Sequence, residues 1–254
     1  MLLIQKVDTV VGPTSLGKFT KTVAGQALAN IPGWGAFFDA DYYERGSNKL
    51  LNRVTGKSAI ITGSFAQSPD FANMIYKTAE SGGATHVSDY DVNPDAWTFF
   101  LIAKPRATSA SYVFRLVRRT ADDSTNLCLN IAISASSKTL SIYRTTAGVA
   151  RIEYTFPENQ EPAVLDRPTL IMFTFSKTKG LAIRVNGVTV ATSSSEAGKN
   201  PIVSGYRAGE WDWFRNAGGS FGAWGGLNIN LLDDANTEHL ATFENYFKSK
   251  YGIY

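Results

Sequence analysis

Apolar and polar residues alternate with a period of two through the middle of the chain, the pattern of half-buried β-strands. Tyr112, Phe114 and Leu116 share one face of a segment whose other face carries Arg115 and Arg119. Leu127, Leu129, Ile131 and Ile133 alternate with Cys128, Asn130, Ala132 and Ser134, and Leu140 and Ile142 follow a Ser-rich turn. Ala150, Ile152, Tyr154 and Phe156 alternate with Val149, Arg151, Glu153 and Thr155. Trp97–Lys104 is mostly apolar, and Leu170–Phe175 is apolar on both faces, which predicts a strand covered on both sides. Leu181, Ile183 and Val185 lead into Asn186-Gly187, and Val188 and Val190 continue beyond it. Asn-Gly tolerates the positive φ that both central residues of a type I′ turn require, so a two-residue hairpin is expected. Strands at this regular spacing are the signature of an all-β sandwich.

The two ends read differently. Residues 1–33 carry Gly12-Pro13, Gly17, Gly25 and Pro32-Gly33 with short apolar pieces between them, which predicts an extended arm or a short strand and turn. Such an arm either wraps its own sandwich or tethers the chain by adding a strand to a neighbour. Gly35–Ala40 reads as a buried strand leaving Trp34, and Ser58–Thr62 as a short one. Residues 41–57 and 63–95 read as loops. Residues 193–220 form a polar, Gly-rich connection interrupted by Glu210-Trp211-Asp212-Trp213-Phe214, before a strand over Phe221–Leu232. Gly222, Gly225 and Gly226 in that strand predict a bulge or a close backbone approach. The chain then turns helical over 236–251. Leu240, Phe243, Phe247 and Tyr251 recur at helical spacing, Asp233, Asp234 or Asn236 is available as N-cap, and Gly252 suits a left-handed C-cap.

Composition narrows the function. The chain of 254 residues, 44% apolar and 19% charged, is globular and needs no covalent staple. A net charge of +3 is too weak to imply nucleic acid or a membrane surface as partner. The lone Cys128 leaves no internal disulfide. The opening MLLIQKVDTVV lacks the basic segment and apolar length of a signal peptide, so synthesis in a host cytoplasm is expected.

Three segments resemble the concanavalin A-like lectin/glucanase superfamily in its laminin-G-like branch. They are Leu181–Val188 with its Val-Asn-Gly hairpin, Gly218–Ile229 as a glycine-bracketed late strand, and the helix ending Lys250-Tyr251-Gly252-Ile253. Ala36–Ala40 resembles the opening strand. That ending is similar to copies found in bacteriophage virion proteins and bacterial surface proteins. The resemblance spans residues 34–254 and leaves 1–33 outside. It implies a two-sheet jelly roll used for sugar binding, adhesion, virion decoration or, in some branches, glycan hydrolysis.

Candidate chemistry is thin. The hydrolase branch carries a Glu-x-Asp-x-Glu strand, and a glycosidase needs two carboxyls across one bond. Glu210 and Asp212 supply two acids at alternate positions, but Phe214 stands where the third would be. The stretch reads as a loop, so catalytic residues are not assigned. Asp39, Asp41 and Glu44 read as ordinary turn carboxylates. Asp89, Asp91, Asp122, Asp123, Asp233 and Asp234 lack the fixed spacing of a calcium loop, so no metal and no cofactor is assigned. His86 in a loop, His239 in the helix and Cys128 read as structural. Lys104, Arg106, Arg115, Arg118, Arg119, Arg144 and Arg151 read as a solvated face. Trp224 reads as core. Trp211 and Trp213 suit a glycan or protein contact, because sugars stack their C–H faces on flat rings and Trp anchors interfaces.

The expectation is therefore an all-β, antiparallel two-sheet jelly-roll sandwich (34–254) with an N-terminal arm (1–33) and one C-terminal helix. The resemblance implies a non-enzymatic structural or adhesive virion protein, a head decoration or tail component. It would meet other virion proteins through residues 1–33, as a homo-oligomer or assembly component, with cell-surface glycans as a further partner. The alternatives are a stand-alone carbohydrate-binding module using Trp211, Trp213, Glu210 and Asp212, and a glycoside hydrolase using Glu210 and Asp212.

Overall fold

The computed structural model describes residues 22–44, 46–63, 65–77, 83–88, 92–106, 111–118, 127–134, 138–143, 151–162, 164–193, 209–214 and 217–254. A short helix, α1 (Val23–Ala29), comes first. The strands that follow are β1 (Trp34–Asp39), β2 (Tyr43–Glu44), β3 (Lys49–Leu51), β4 (Ser58–Thr62), β5 (Phe65–Gln67) and β6 (Ile75–Lys77). Next come β7 (Gly83–Ser88), β8 (Ala96–Pro105), β9 (Ser111–Arg118), β10 (Leu127–Ser134), β11 (Thr139–Tyr143) and β12 (Arg151–Thr155). The last are β13 (Thr169–Ser176), β14 (Gly180–Val185), β15 (Val188–Ser193), β16 (Gly209–Trp213) and β17 (Gly219–Leu227), before the helix α2 (Thr237–Tyr251).

The strands form two antiparallel sheets. The first runs β15-β14-β13-β8-β17-β6-β5, with β1 sharing the edge of β17 that β6 leaves free. The second runs β12-β11-β10-β9-β16-β7-β4-β3-β2. The sandwich expected from periodicity is thus present, and both faces of the first sheet are covered. Ile171, Phe173 and Phe175 of β13 enter the core between the sheets, with Trp97, Phe99 and Leu101 of β8. Leu170 and Met172, with Phe100 and Ile102, face the opposite way into a second core under the helices. A strand apolar on both faces is the only kind that fits a middle layer.

The second core is what seats the helix. Phe243 and Phe247 are fully buried, worth about 2 kcal/mol each by area removed from water. Their rings meet Phe100 at 4.9 and 5.0 Å. Arg184 of β14 clamps Glu244 through two hydrogen bonds, Nε to Oε1 at 2.5 Å and Nη2 to Oε2 at 3.1 Å. Gly252 ends the helix at φ 64°, as its sequence position suggested. The N-terminal capping expectation fails: Asp233 and Asn236 make no side-chain cap bond. Asp233 accepts instead from Ser176 Oγ (2.9 Å) and Asn230 Nδ2 (3.2 Å).

Several local expectations hold. Asn186 and Gly187 take φ 48° and 92° and close β14 onto β15 at Val185 and Val188. The register of β17 against β8 slips between Phe221 and Trp224, the bulge that its glycines implied. Other expectations need correction. The stretch 63–95 holds β5, β6 and β7, and 41–57 holds β2 and β3, strands too short and polar to show a period. Residues 22–33 are not an extended arm. Thr22 caps α1 by accepting from Gly25 N (3.0 Å), and Leu28 and Ile31 enter the core beneath α2. The Trp34 indole then donates to Leu28 O at 3.1 Å and stacks on Phe243. Residues 1–21, the rest of the proposed tether, lie outside the described residues.

Candidate functional site

Residues 209–213 are the largest departure from the sequence reading. They are not a loop but β16, hydrogen-bonded to β7 on one side and β9 on the other, in the middle of the second sheet. Glu210 stands opposite Val87 and Val117, and Asp212 opposite Thr85 and Arg115. The side chains of Glu210, Trp211 and Asp212 lie outside the described residues. Trp213 is described, and it corrects the expectation: its side chain is fully buried in the inter-sheet core and presents no face to a ligand. Trp224 is core, as read.

Phe214 explains why no third acid follows. It takes φ 60°, a left-handed conformation that costs a bulky residue about 1–2 kcal/mol. That turn sends its ring inward immediately after Trp213, breaking the strand alternation. The ring stacks on Phe221 at 3.9 Å and meets Trp224 edge-on at 4.7 Å. Its carbonyl accepts from Ala217 N at 3.1 Å and from Lys77 Nζ at 2.9 Å. Lys77 is fully buried, a residue that sequence reasoning missed. The only signal is its place two after Ile75, on the inward parity of β6.

Asp39 is a turn carboxylate, accepting from Asp41 N at 3.2 Å, and it is also the centre of a buried ion cluster. Asp39 is buried where β1 enters a 3-10 turn, and both its oxygens accept from Lys250 Nζ in the last turn of α2. Asp41 lies 2.7 Å from the same ammonium, and Arg53 lies 3.5 Å from Asp39. The Arg53 guanidinium also covers the rings of Tyr42 and Phe37. Burial pushes the Asp39 carboxyl above its usual range, and the pull of Lys250 and Arg53 does not offset that. Burial works against the Lys250 charge too, but Asp39 and Asp41 outweigh it and hold the ammonium above its ordinary value. The two ends differ because Asp39 is the more deeply buried. The cluster fastens α2 to β1; its ammonium is already shared among three carboxylate oxygens.

Among the described residues no group of His, Cys, Asp and Glu is arranged to hold a metal, and no helix is long and apolar enough to cross a membrane. Asp234 pairs with Lys179 at 2.6 Å, which lowers its carboxyl below the usual range through that hydrogen bond. His239 lies half-buried on α2, and His86 belongs to β7 rather than a loop. Lys104 lies over the ring of Phe71 at 5.7 Å. Asp89, Asp91, Asp122, Asp123, Arg119 and Arg144 lie outside the described residues, as do the side chains of Cys128, Arg115, Arg118 and Arg151.

No family model matches the chain, and no curated protein matches it. Solved structures do. The binding domain of botulinum neurotoxin DC in complex with SialylT superposes with a TM-score of 0.57 at 11% identity, over 84% of this chain and 52% of that one. The botulinum neurotoxin serotype C1 binding domain gives 0.56 at 11%, over 83% and 52%. A Trypanosoma rangeli sialidase gives 0.54 at 9%, over 89% and 37%. The likeness is one of fold. The chain spans about half the length of the neurotoxin binding domains, and the shared part is a β-sandwich.

Proposed function

We propose that this chain is a non-enzymatic, lectin-like binding domain, displayed on a virion as an adhesive or decorating component. The observation that carries the binding reading is the asymmetry of the sandwich. α1 and α2 seal the outer face of the first sheet, while the described outward residues of β4 and β12, Ser58, Ile60, Thr62, Glu153 and Thr155, are exposed on the second. A domain that buries one outer face under helices and exposes the described outward residues of the other has that second surface available for recognition. The fold is similar to about half of the binding domain of botulinum neurotoxin DC, which has been solved both with SialylT and with rat synaptotagmin II. Virion placement rests on the resemblance of the closing helix.

The reading is tested in two steps. Immunogold labelling of purified particles with antibody to the chain should decorate them at regular positions; unlabelled particles remove the virion placement. Removal of residues 1–21 should abolish particle attachment; a truncated chain that still attaches removes the tether role.

One observation favours a second reading, glycoside hydrolysis. Glu210 and Asp212 stand on a central strand, where a hydrolase would keep them, rather than in a loop. The turn of Phe214 into the core weighs against it. Turnover of a polysaccharide that disappears in Glu210→Gln would establish this reading in place of the first.

A further inference from the structure

The chain holds a single Asn-Gly dipeptide, Asn186-Gly187. In water this pair is prone to lose its side-chain amide, because glycine has no side chain to keep its backbone nitrogen away from the asparagine carbonyl. The reaction needs no partner other than water. Gly187 N attacks Asn186 Cγ, the Cγ–Nδ2 bond breaks, and Nδ2 leaves as ammonia with the proton that Gly187 N gives up. The ring that remains is a succinimide. Water then opens it on one side or the other. Cleavage between Gly187 N and Cγ gives aspartate, and cleavage between Gly187 N and the main-chain carbonyl carbon of residue 186 gives isoaspartate.

The fold opposes the first of these steps. Asn186 and Gly187 are the two central residues of the β14–β15 hairpin, and Asn186 is tied twice to the start of β13. Its backbone N donates to Leu170 O at 2.9 Å, and its side-chain Oδ1 accepts from Leu170 N at 2.8 Å. The pair extends the β13–β14 ladder by one residue beyond Ile171 and Val185. Attack by Gly187 N requires Cγ to swing away from β13, which breaks the Oδ1 bond. Leu170 is fully buried, so its N–H would then be left without an acceptor, a state that buried backbone groups rarely tolerate. Lys248 Nζ lies directly over Gly187, where a Cβ would stand, and packs α2 against the turn. Asn186 and Gly187 are only half-buried, so water reaches the turn once it opens.

We infer that Asn186 is a modification site under the control of the fold: its amide persists while the β14–β15 hairpin is closed, and it converts to aspartate or isoaspartate when the hairpin opens. The two products differ in consequence. Aspartate keeps a side-chain oxygen that can accept from Leu170 N. The corner carries Arg184 and Lys248 against the single carboxylate of Glu244, so one more negative charge is not opposed. Isoaspartate instead routes the main chain through Cβ and Cγ and lengthens it by one atom. A two-residue turn between Val185 and Val188 has no room for that, because its loop length sets the pairing register. Each conversion to isoaspartate therefore removes a chain from the population that can refold. The reactive pair is visible in the sequence, but its shield is a contact made sixteen residues away.

The test holds the full chain in mildly alkaline buffer, folded and in concentrated guanidinium chloride. Peptide mass mapping follows the loss of the amide at residue 186 and the isoaspartate formed there. Conversion in the folded chain is expected to be at least about tenfold slower than in the unfolded one, since it must wait for the hairpin to open. Chain aged in denaturant is expected to lose its ability to refold on dilution, read by circular dichroism, in proportion to its isoaspartate at 186. Asn186→Asp supplies the other product alone, and it should refold and melt close to the parent. Equal rates in the folded and unfolded chain would overturn the shielding, and an amide that persists in denaturant would overturn the site. Aged chain that refolds fully while carrying isoaspartate would overturn its effect on the turn. Failure of Asn186→Asp to fold would overturn the distinction between the products.

Discussion

Lys250, in the last turn of α2, holds both carboxylate oxygens of Asp39 at 2.8 and 2.7 Å across 211 residues of sequence. The pair joins the end of the chain to the first strand of the sandwich, and its environment is mostly dry. Removing one partner of such a pair strands the other's charge, which typically costs about 3–5 kcal/mol. Lys250→Met is therefore expected to cost about 3 kcal/mol in urea unfolding, because Arg53 at 3.5 Å compensates only in part. Adding Asp39→Asn should recover more than half of the loss. A single-variant cost below about 1 kcal/mol, the size of an exposed pair, would show that the cluster is not a fastening.

The same corner sets the alkaline limit of stability. Asp39 and Asp41 hold Lys250 above its ordinary 10.5 against the cost of burial. Burial raises Tyr251 well above its ordinary 10.0 and raises Tyr246 as well. In the unfolded chain these groups lose their protons first, so above about pH 10 the folded state binds more protons and stability falls as pH rises. Burial raises Asp39 too, so between its ordinary 3.8 and its folded value this group adds stability as pH falls. Asp234, lowered by Lys179, acts in the opposite sense on that side. Thermal melts should show a plateau near neutrality and a steep decline above about pH 10. A melting temperature still level one unit beyond that would contradict the assignment.

Tyr251 offers a sharper version. Its hydroxyl is buried and has no hydrogen-bond partner among the described residues, while its ring is stacked on Phe247. An unpaired buried hydroxyl costs more than it returns, so Tyr251→Phe should be neutral or stabilising by up to about 1 kcal/mol. It should also flatten the alkaline decline. A loss above about 1 kcal/mol in chemical denaturation would mean that the hydroxyl has a partner worth a full hydrogen bond.

Two glycines of β17 are fixed by what lies against them. A Cβ on Gly222 would fall 2.5 Å from Tyr251 Cε1, and one on Gly225 would fall 2.9 Å from the Ala36 backbone carbon. A side-chain ring can shift, whereas the paired strand β1 cannot move without losing its ladder. Gly225→Ala is expected to cost about 3 kcal/mol and Gly222→Ala less, overpacking of the usual size. Equal melting temperatures for the two variants would contradict this ordering.

Local chemistry was legible in the sequence, and long-range closure was not. Asn186-Gly187 and Gly252 announce their φ angles by residue type alone. The double-faced apolar run 170–175 announced a middle layer before any second layer was known. β16 escaped because only five residues, two of them acidic, emerge from a polar stretch, and its strand character comes from β7 and β9 on either side. Asp39 looked like a turn carboxylate because its partner lies at the other end of the chain. The paired Glu210 and Asp212 were visible, but their place mid-sheet was not, because β7 and β9, which flank β16, lie far from it in sequence. α1 was hidden by Gly25 and by its length of 7 residues, about two turns, too short for a period to show.

The central claim is that this sandwich grips and does not cut. The most direct measurement incubates the full chain with insoluble cellulose, chitin and purified peptidoglycan. It follows co-sedimentation of the protein and release of new reducing ends in the same tubes. The account predicts that the chain sediments with at least one polymer and that no reducing ends form. Reducing ends that accumulate with the parent chain and vanish with Glu210→Gln would contradict it.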